Sequence, residues 1–348
     1  MHPVSLALDR LAARQDLSHA EARALVDALF AGEATEIQTA GILVGLAVKG
    51  ETVDEIVGFA EGMRAAVTPI GLPASGHRYV DTCGTGGSAR DVFNISTAAA
   101  LAAAGAGVKV AKHGNRTSTS VCGSADVIEA LGVNLSFPAS ELGACLESVG
   151  IAFLFAPLLH GAMRHVMPVR RGLKLRTIFN LLGPLTNPAG ADAQVVGVSS
   201  AALIPKIAQA LARLGTRHSF VVRCQDGLGE LSTTACNDVA EVKNGNVLTY
   251  TLDAAALGLR PARLEALRCT TMEQAVADLR SVLEGKPSPH RDIVCLNAAA
   301  ALVAGERAGD LREGIELARQ ALDSGAARAR LDALVAYTRG VKTSAQGS

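Results

Sequence analysis

The chain has no tryptophan, only 3% aromatic residues and, with 33 basic against 33 acidic side chains, no net charge. Scarce rings leave little from which to build a stacking platform for single-stranded nucleic acid, and balanced charge argues against a general nucleic-acid surface. No nucleic-acid partner is expected. The seven cysteines (Cys83, Cys122, Cys145, Cys224, Cys236, Cys269, Cys295) include no CxxC pair. Their odd number and wide spacing favour reduced thiols over a disulfide framework or a zinc site. Long hydrophobic runs are missing too: the most apolar stretches, such as 98–106, fall short of the ~20 residues that span a bilayer. The first 17 residues carry charges every few positions and hold no apolar core of signal-peptide length. The expectation is a cytoplasmic protein with no membrane attachment.

What is present is a chain of 348 residues, 49% hydrophobic and 19% charged, which can build a substantial core in one large domain or two unequal ones. Residues 3–66 read as helices. Leu6, Leu8, Leu11 and Ala12 suggest one apolar face; Ser18 with Glu21, and Thr52 with Glu55, stand in capping-box register. Thr35 heads another segment with Ile37, Ala40, Ile42, Leu43 and Leu46 at helical spacing. A turn-rich linker, 69–76, follows. From Arg78 the pattern becomes short apolar runs (79–83, 107–111, 152–156, 193–198, 219–222) alternating with helical stretches (95–104, 124–131, 140–149, 203–214). Such alternation predicts an α/β fold with a mostly parallel central sheet. Residues 238–242 and 247–251, joined by Lys-Asn-Gly-Asn, predict a hairpin. Helices return at 272–283, 292–303 and 311–323, with a last one through Tyr337. The domain reading is a small helical domain over 1–70 and an α/β domain over 77–345.

The most informative stretch is 81–126. Gly84, Gly86 and Gly87 allow close backbone approach, and Asn94, Ser96 and Thr97 place three polar side chains at a helix start. The run is neither a dinucleotide fingerprint nor a Walker A loop. A second loop, Lys112-His113-Gly114-Asn115-Arg116 with hydroxyls at Thr117, Ser118, Thr119 and Ser120, follows the next predicted strand. Ligands in open α/β sheets sit beyond the carboxyl ends of strands, so both loops converge on one crevice. A plain structural turn and a solvated cation pair are the bland alternatives. Two donor-rich loops on successive strands favour an anion site, with phosphate or pyrophosphate as its ligand.

These motifs resemble those of the anthranilate phosphoribosyltransferases, which join anthranilate to phosphoribosyl pyrophosphate in tryptophan biosynthesis. The likeness lies in the glycine loop followed by FNIST (83–97), in KHGNR through GSAD (112–126), and in MPVRRGLKLRTIFNLLGPLTNP (167–188), and it runs over essentially the whole chain. It implies a small helical domain, joined by helices from about 165–185, a hinge, and a larger α/β domain, usually as a homodimer. It implies phosphoribosyl pyrophosphate contacts at Gly84, Gly87, Ser88, Val92, Asn94, Ser96, Thr97, Lys112, Asn115, Arg116, Ser120 and Ser124. Anthranilate contacts fall on Gly84, Asn115, Arg170, His160 and Pro184. Arg170 suits the task, since a guanidinium fork binds a carboxylate bidentately. Mg²⁺ is the implied cofactor, with Ser96 and Glu230 as its contacts. No general base is assigned; His113 is the candidate for orienting the amine or accepting from it.

Four positions depart from the family pattern: Ser88 and Gly229 replace aspartates, Val92 a threonine and Val121 a lysine. The metal motif therefore reads Asp226-Gly227-Leu228-Gly229-Glu230, in which Asp226 is a conceivable substitute ligand. At this point a phosphoribosyltransferase of the same fold with another aromatic acceptor, and a non-catalytic ligand- or nucleic-acid-binding relative, remain open.

Overall fold

The structure, a computed structural model, describes residues 1–73, 77–87, 91–116 and 123–340. Helices α1 (Pro3–Ala12), α2 (His19–Ala31), α3 (Glu36–Lys49) and α4 (Val53–Ala65) form the N-terminal bundle. Both expected capping boxes are closed. Glu21 N donates to Ser18 Oγ at 3.3 Å and Ser18 N to Glu21 Oε2 at 2.8 Å; Thr52 and Glu55 repeat the exchange at 3.3 and 2.8 Å. The apolar face of α1 is only partly the expected one: Leu11 is buried and Leu8 packs against the core. Val4, Ala7 and Leu11 are buried while Ala12 is exposed, because the i, i+3, i+7 row is the one that meets α2 and α3. On α3, Ile42, Leu43 and Leu46 are buried as expected, but Ile37 points outward and is 85% exposed.

The α/β part follows as β1 (Val80–Gly84), α5 (Ile95–Gly105), β2 (Val110–Gly114), α6 (Ser124–Ala130), α7 (Leu142–Val149) and β3 (Ile151–Phe155). A short helix α8 (Ala156–Leu159) packs on β3, and two more, α9 (Met167–Leu173) and α10 (Phe179–Leu182), then return to the bundle. The chain continues through β4 (Ala193–Gly197), α11 (Leu203–Arg213), β5 (His218–Cys224), β6 (Asn237–Lys243) and β7 (Asn246–Leu252). It ends with α12 (Met272–Leu283), α13 (Pro289–Ala304), α14 (Leu311–Asp323) and α15 (Ala326–Gly340). The sheet order is β3-β2-β1-β4-β5-β6-β7, parallel from β3 to β5 and antiparallel for the last two strands. Asn244 and Gly245, at φ 49° and 81°, make the two-residue turn that the Asn-Gly signal predicts.

One displacement bears on function. The second strand was expected over 107–111, with Lys112 and His113 in the loop beyond. Gly107 instead turns at φ 105° after α5, and β2 pairs with β3 as far as Gly114 opposite Phe155. Lys112 and His113 are therefore strand residues, 2% and 6% exposed, rather than loop cations. Ladder pairing decides the strand's extent, and the two polar side chains are tolerated because they have partners inside.

Successive strand residues enter different cores, as the two-residue period requires. Val195, Phe220, Val222 and Val239 join the core shared with α5 and α13, whereas Val196, Val221, Ala240 and Val242 join the one shared with α11 and the bundle. Helix α5 is apolar all round: Ala98 to Ala104 are at most 1% exposed, packed against the alanine-rich α13. That buried helix aims its N-terminus at the ends of β1 and β2.

Candidate active site

Strand β1 lies between β2 on one side and β4 on the other, so the strand order reverses there, and ligands of open α/β sheets bind at such a point. Gly84, Gly114 and Gly197 end these three strands, with Gly84 opposite Gly197. A Cβ on Gly197 would lie 2.2 Å from Gly229 O, so the loop carrying Glu230 rests directly on the β4 backbone. Above these ends opens a cavity of about 920 Å³, walled on its far side by 155–171 and Phe179.

Most of the expected residues line it: Gly84, Gly87, Val92, Asn94, Ser96, Lys112, His113, Asn115, Arg116, Ser124, His160, Arg170, Gly229 and Glu230. Ser88 and Ser120, like Val121, lie outside the described residues. Thr97 is not on the wall: one residue past Ser96 the helix turns by about 100°, and its side chain is buried while its N–H donates to the Asn94 cap at 3.0 Å. Nor is Pro184, buried in a short turn where its carbonyl accepts from Gln194 Nε2 at 2.7 Å. Its neighbour Gly183 lines the cavity instead. The walls also include Phe155, Arg164, Arg171 and Ser199, which the motifs did not single out. Ser199 had a signal: Ser-Ser directly after the predicted fourth strand repeats the small-hydroxyl pattern of the first two loops.

Lys112 is the charge at the centre. Its Nζ donates to Thr82 O at 2.5 Å and to Ser96 Oγ at 3.2 Å, which ties β2 to the start of α5. Burial lowers its pKa below the ordinary lysine value, opposed chiefly by the charge of Asp81. Asp81, fully buried, accepts from His113 N at 3.1 Å and Asn187 Nδ2 at 2.7 Å, and so locks β1 to β2 beneath the cavity. Burial raises the Cys83 thiol well above its usual range, which leaves it an inert wall.

Among the described residues Lys112, Arg116, Arg164, Arg170 and Arg171 line the cavity with one carboxylate, Glu230. Arg116 is neutralised by Asp126 and Glu129, both at 2.8 Å. The remaining excess is positive, which suits a highly charged anion. Among the described residues Glu230 Oε2 is buried with no hydrogen-bond partner, and burial raises its pKa against the pull of Lys112. Asp226 is not a substitute for it: Oδ1 accepts from Leu228 N at 3.0 Å, Oδ2 accepts from the Thr234 hydroxyl, and the residue is not on the wall.

On the opposite wall, Arg170 stacks over Phe179 at 5.5 Å, with Nη1 3.7 Å from Met167 Sδ. No carboxylate pairs with it among the described residues, and burial lowers its pKa. Beside it, His113 Nδ1 lies 3.0 Å from Gly183 O and His113 Nε2 3.1 Å from His160 Nε2. A carbonyl only accepts, so His113 carries its proton on Nδ1 and accepts at Nε2 from His160 Nε2–H. His160 Nδ1 is then a lone pair, buried and unpartnered among the described residues. Burial, and next the neighbouring His113, push the His160 pKa down to about 3; burial lowers that of His113 as well.

The sign of the resulting pH dependence is fixed. Between pH about 6.5 and about 3 the unfolded chain takes up a proton at His160 that the folded chain refuses, so stability is full above this window and falls as pH drops, at up to about 1.4 kcal/mol per unit. The variant His160→Gln should lose less stability than the parent between pH 7.5 and 5 in urea melts. Equal losses would place the proton uptake elsewhere.

Comparison with known proteins bears on the family and the fold. Residues 76–328 match the glycosyl transferase family a/b domain, and residues 6–67 its helical bundle domain. An anthranilate phosphoribosyltransferase from Symbiobacterium thermophilum is 50% identical over 331 residues, 95% of this chain and 96% of that protein. The crystal structure of anthranilate phosphoribosyltransferase from Thermus thermophilus aligns at a TM-score of 0.90 and 44% identity, covering 97% of this chain and all of the other. The Saccharomyces cerevisiae enzyme, in complex with phosphoribosyl pyrophosphate and Mg, aligns at 0.89 with 26% identity and covers 97% of this chain and 98% of the other. With the likeness extending from the bundle through the cavity to the last helices, the chain belongs to the anthranilate phosphoribosyltransferase family.

Proposed function

We propose that the protein transfers the phosphoribosyl group of phosphoribosyl pyrophosphate to the amine of anthranilate, giving N-(5-phosphoribosyl)anthranilate and pyrophosphate. The observation that carries the reading is one cavity with two unlike walls. One wall is a polar cradle around Lys112, Ser96 and Asn94; the other holds Arg170, a half-buried guanidinium without a counter-ion among the described residues, on the Phe179 ring. A pyrophosphate belongs to the first and an aromatic carboxylate to the second.

The residues act by position and charge. Lys112 and the start of α5 stabilise negative charge as it accumulates on the leaving group. Arg170 and Asn115 hold the acceptor so that its amine faces the anomeric carbon, which converts a two-body encounter into a local one. His113, its lone pair already occupied by His160, orients rather than deprotonates; the open lone pair of the pair is His160 Nδ1. Glu230 Oε2, orphaned and buried on the wall, with Ser96 Oγ, would hold Mg²⁺. The ion would neutralise pyrophosphate charge and take its other ligands from phosphate oxygens and water, as Mg²⁺ does with few carboxylates. Among the described residues no helix is long and apolar enough to cross a membrane. The homodimer is part of the same proposal: Ile37 and Val48, 85% and 72% exposed, share the outer face of α3 and would be covered by a second copy, which light scattering tests.

A steady-state assay with anthranilate, phosphoribosyl pyrophosphate and Mg²⁺ tests the activity; absence of product at high enzyme concentration sinks it. Gly229→Asp tests the metal reading. The φ of Gly229 is not left-handed, so its backbone conformation does not itself require glycine. A second carboxylate should lower the Mg²⁺ concentration for half-maximal rate by roughly tenfold. An unchanged Mg²⁺ curve would refute the idea that this loop limits metal capture.

A further inference from the structure

The segment joining α9 to α10 passes behind the first glycine loop and lays Arg176 against it. Nη1 donates to Gly86 O at 2.9 Å, and Nη2 reaches Thr85 O at 3.5 Å. Arg176 is not on the cavity wall, whereas Gly86 and Gly87 are. The guanidinium thus grips the loop from the side away from the ligand space.

Peptide geometry turns that grip into a consequence at the site. No peptide here is cis, and in a planar trans peptide the N–H points opposite to the C=O. Holding Thr85 O toward Arg176 aims Gly86 N–H away from it, and holding Gly86 O does the same for Gly87 N–H. Away from Arg176 is toward the cavity. Gly86 and Gly87 both have left-handed φ, 68° and 78°, and both line the cavity, so glycine at these two positions lets consecutive amides approach an anion closely. A Cβ on Gly87 would sit 1.8 Å from Arg176 Nη1, so the guanidinium fills the place of a side chain.

We propose that Arg176 is a positioning residue for the pyrophosphate group: it acts through the Thr85 and Gly86 carbonyls to hold the Gly86 and Gly87 amides toward the anion, without touching the anion itself. The proposal rests on the functional reading above and deepens it. It also gives the two walls a common strut, because the segment that carries Arg176 begins at the end of α9, the helix of Arg170.

The test is calorimetric titration of inorganic pyrophosphate with Mg²⁺ into the parent, Arg176→Met and Arg176→Lys proteins, with steady-state kinetics on each. Arg176→Met is expected to weaken pyrophosphate by about tenfold, the scale of losing a partner that orients a ligand-binding group. The KM for phosphoribosyl pyrophosphate should rise in parallel, with that for anthranilate moving less than about twofold. Arg176→Lys should recover only part of the loss, since one ammonium does not span both carbonyls as a guanidinium fork does. Unchanged pyrophosphate affinity in Arg176→Met overturns the proposal, and so does an equal loss for both substrates, which would mark a general collapse of the site. A parent protein that binds pyrophosphate but forms no product defeats the functional reading instead, so the two failures are told apart.

Discussion

Replacing Lys112 with methionine should lower kcat/KM for phosphoribosyl transfer by about a thousandfold, the upper end of what loss of one fixed charge-stabilising donor costs. The ammonium is 2% exposed and shares Ser96 Oγ with the cap of α5, so water cannot take its place without disturbing that cap. The same change should leave the fold intact or make it more stable, because a buried cation held mainly by a carbonyl and a hydroxyl has lost its hydration for modest return. The sign with pH follows from the lowered pKa of Lys112. The penalty for burying its charge is present below the folded-state pKa and fades as pH rises toward the ordinary value near 10.5, so any gain in stability should shrink toward alkaline pH. Kinetics and melting curves on one preparation decide the matter: activity within tenfold of the parent would remove Lys112 from the chemistry.

The second large effect is expected at Arg170. Arg170→Ala should raise the KM for anthranilate by about a hundredfold, since hydrogen bonds to a charged group contribute up to about 3 kcal/mol. The KM for phosphoribosyl pyrophosphate should move little. Its stacking on Phe179 survives partly in Arg170→Lys, but the bidentate fork does not, so lysine should rescue only a fraction. A change shared equally between the two substrates would contradict the division of the cavity into two walls.

Much of this was legible in the amino-acid order because the relevant signals are local. Capping boxes at Ser18 and Thr52, the Asn-Gly hairpin and the alternation of apolar runs each depend on a few neighbouring residues. The loops that line the cavity were readable for the same reason. What failed depends on distant partners. Lys112 and His113 are polar residues that local preference ends a strand with, and only the β3 ladder shows that the strand continues. Thr97 and Pro184 belong to motifs whose other members line the cavity, yet helix phase and a tight turn face them inward. Asp226 reads as a conceivable metal ligand from its own loop because its partner, Thr234, lies across that loop. Arg176 was invisible as a functional residue: it contacts backbone 90 positions away, which no spacing rule reveals.

The sheet that divides the two cores carries one more implication, for how the molecule comes apart. Val196, Val198, Val221, Ala240 and Val242 share a continuous apolar interior with α11 and with Phe59, Leu29 and Ile42 of the bundle. Peeling the bundle away would therefore strip the lining from one side of the larger unit rather than open a wet seam between two finished modules. Heating should give a single cooperative transition, with neither the first 70 residues nor the remainder behaving as a self-sufficient folding unit.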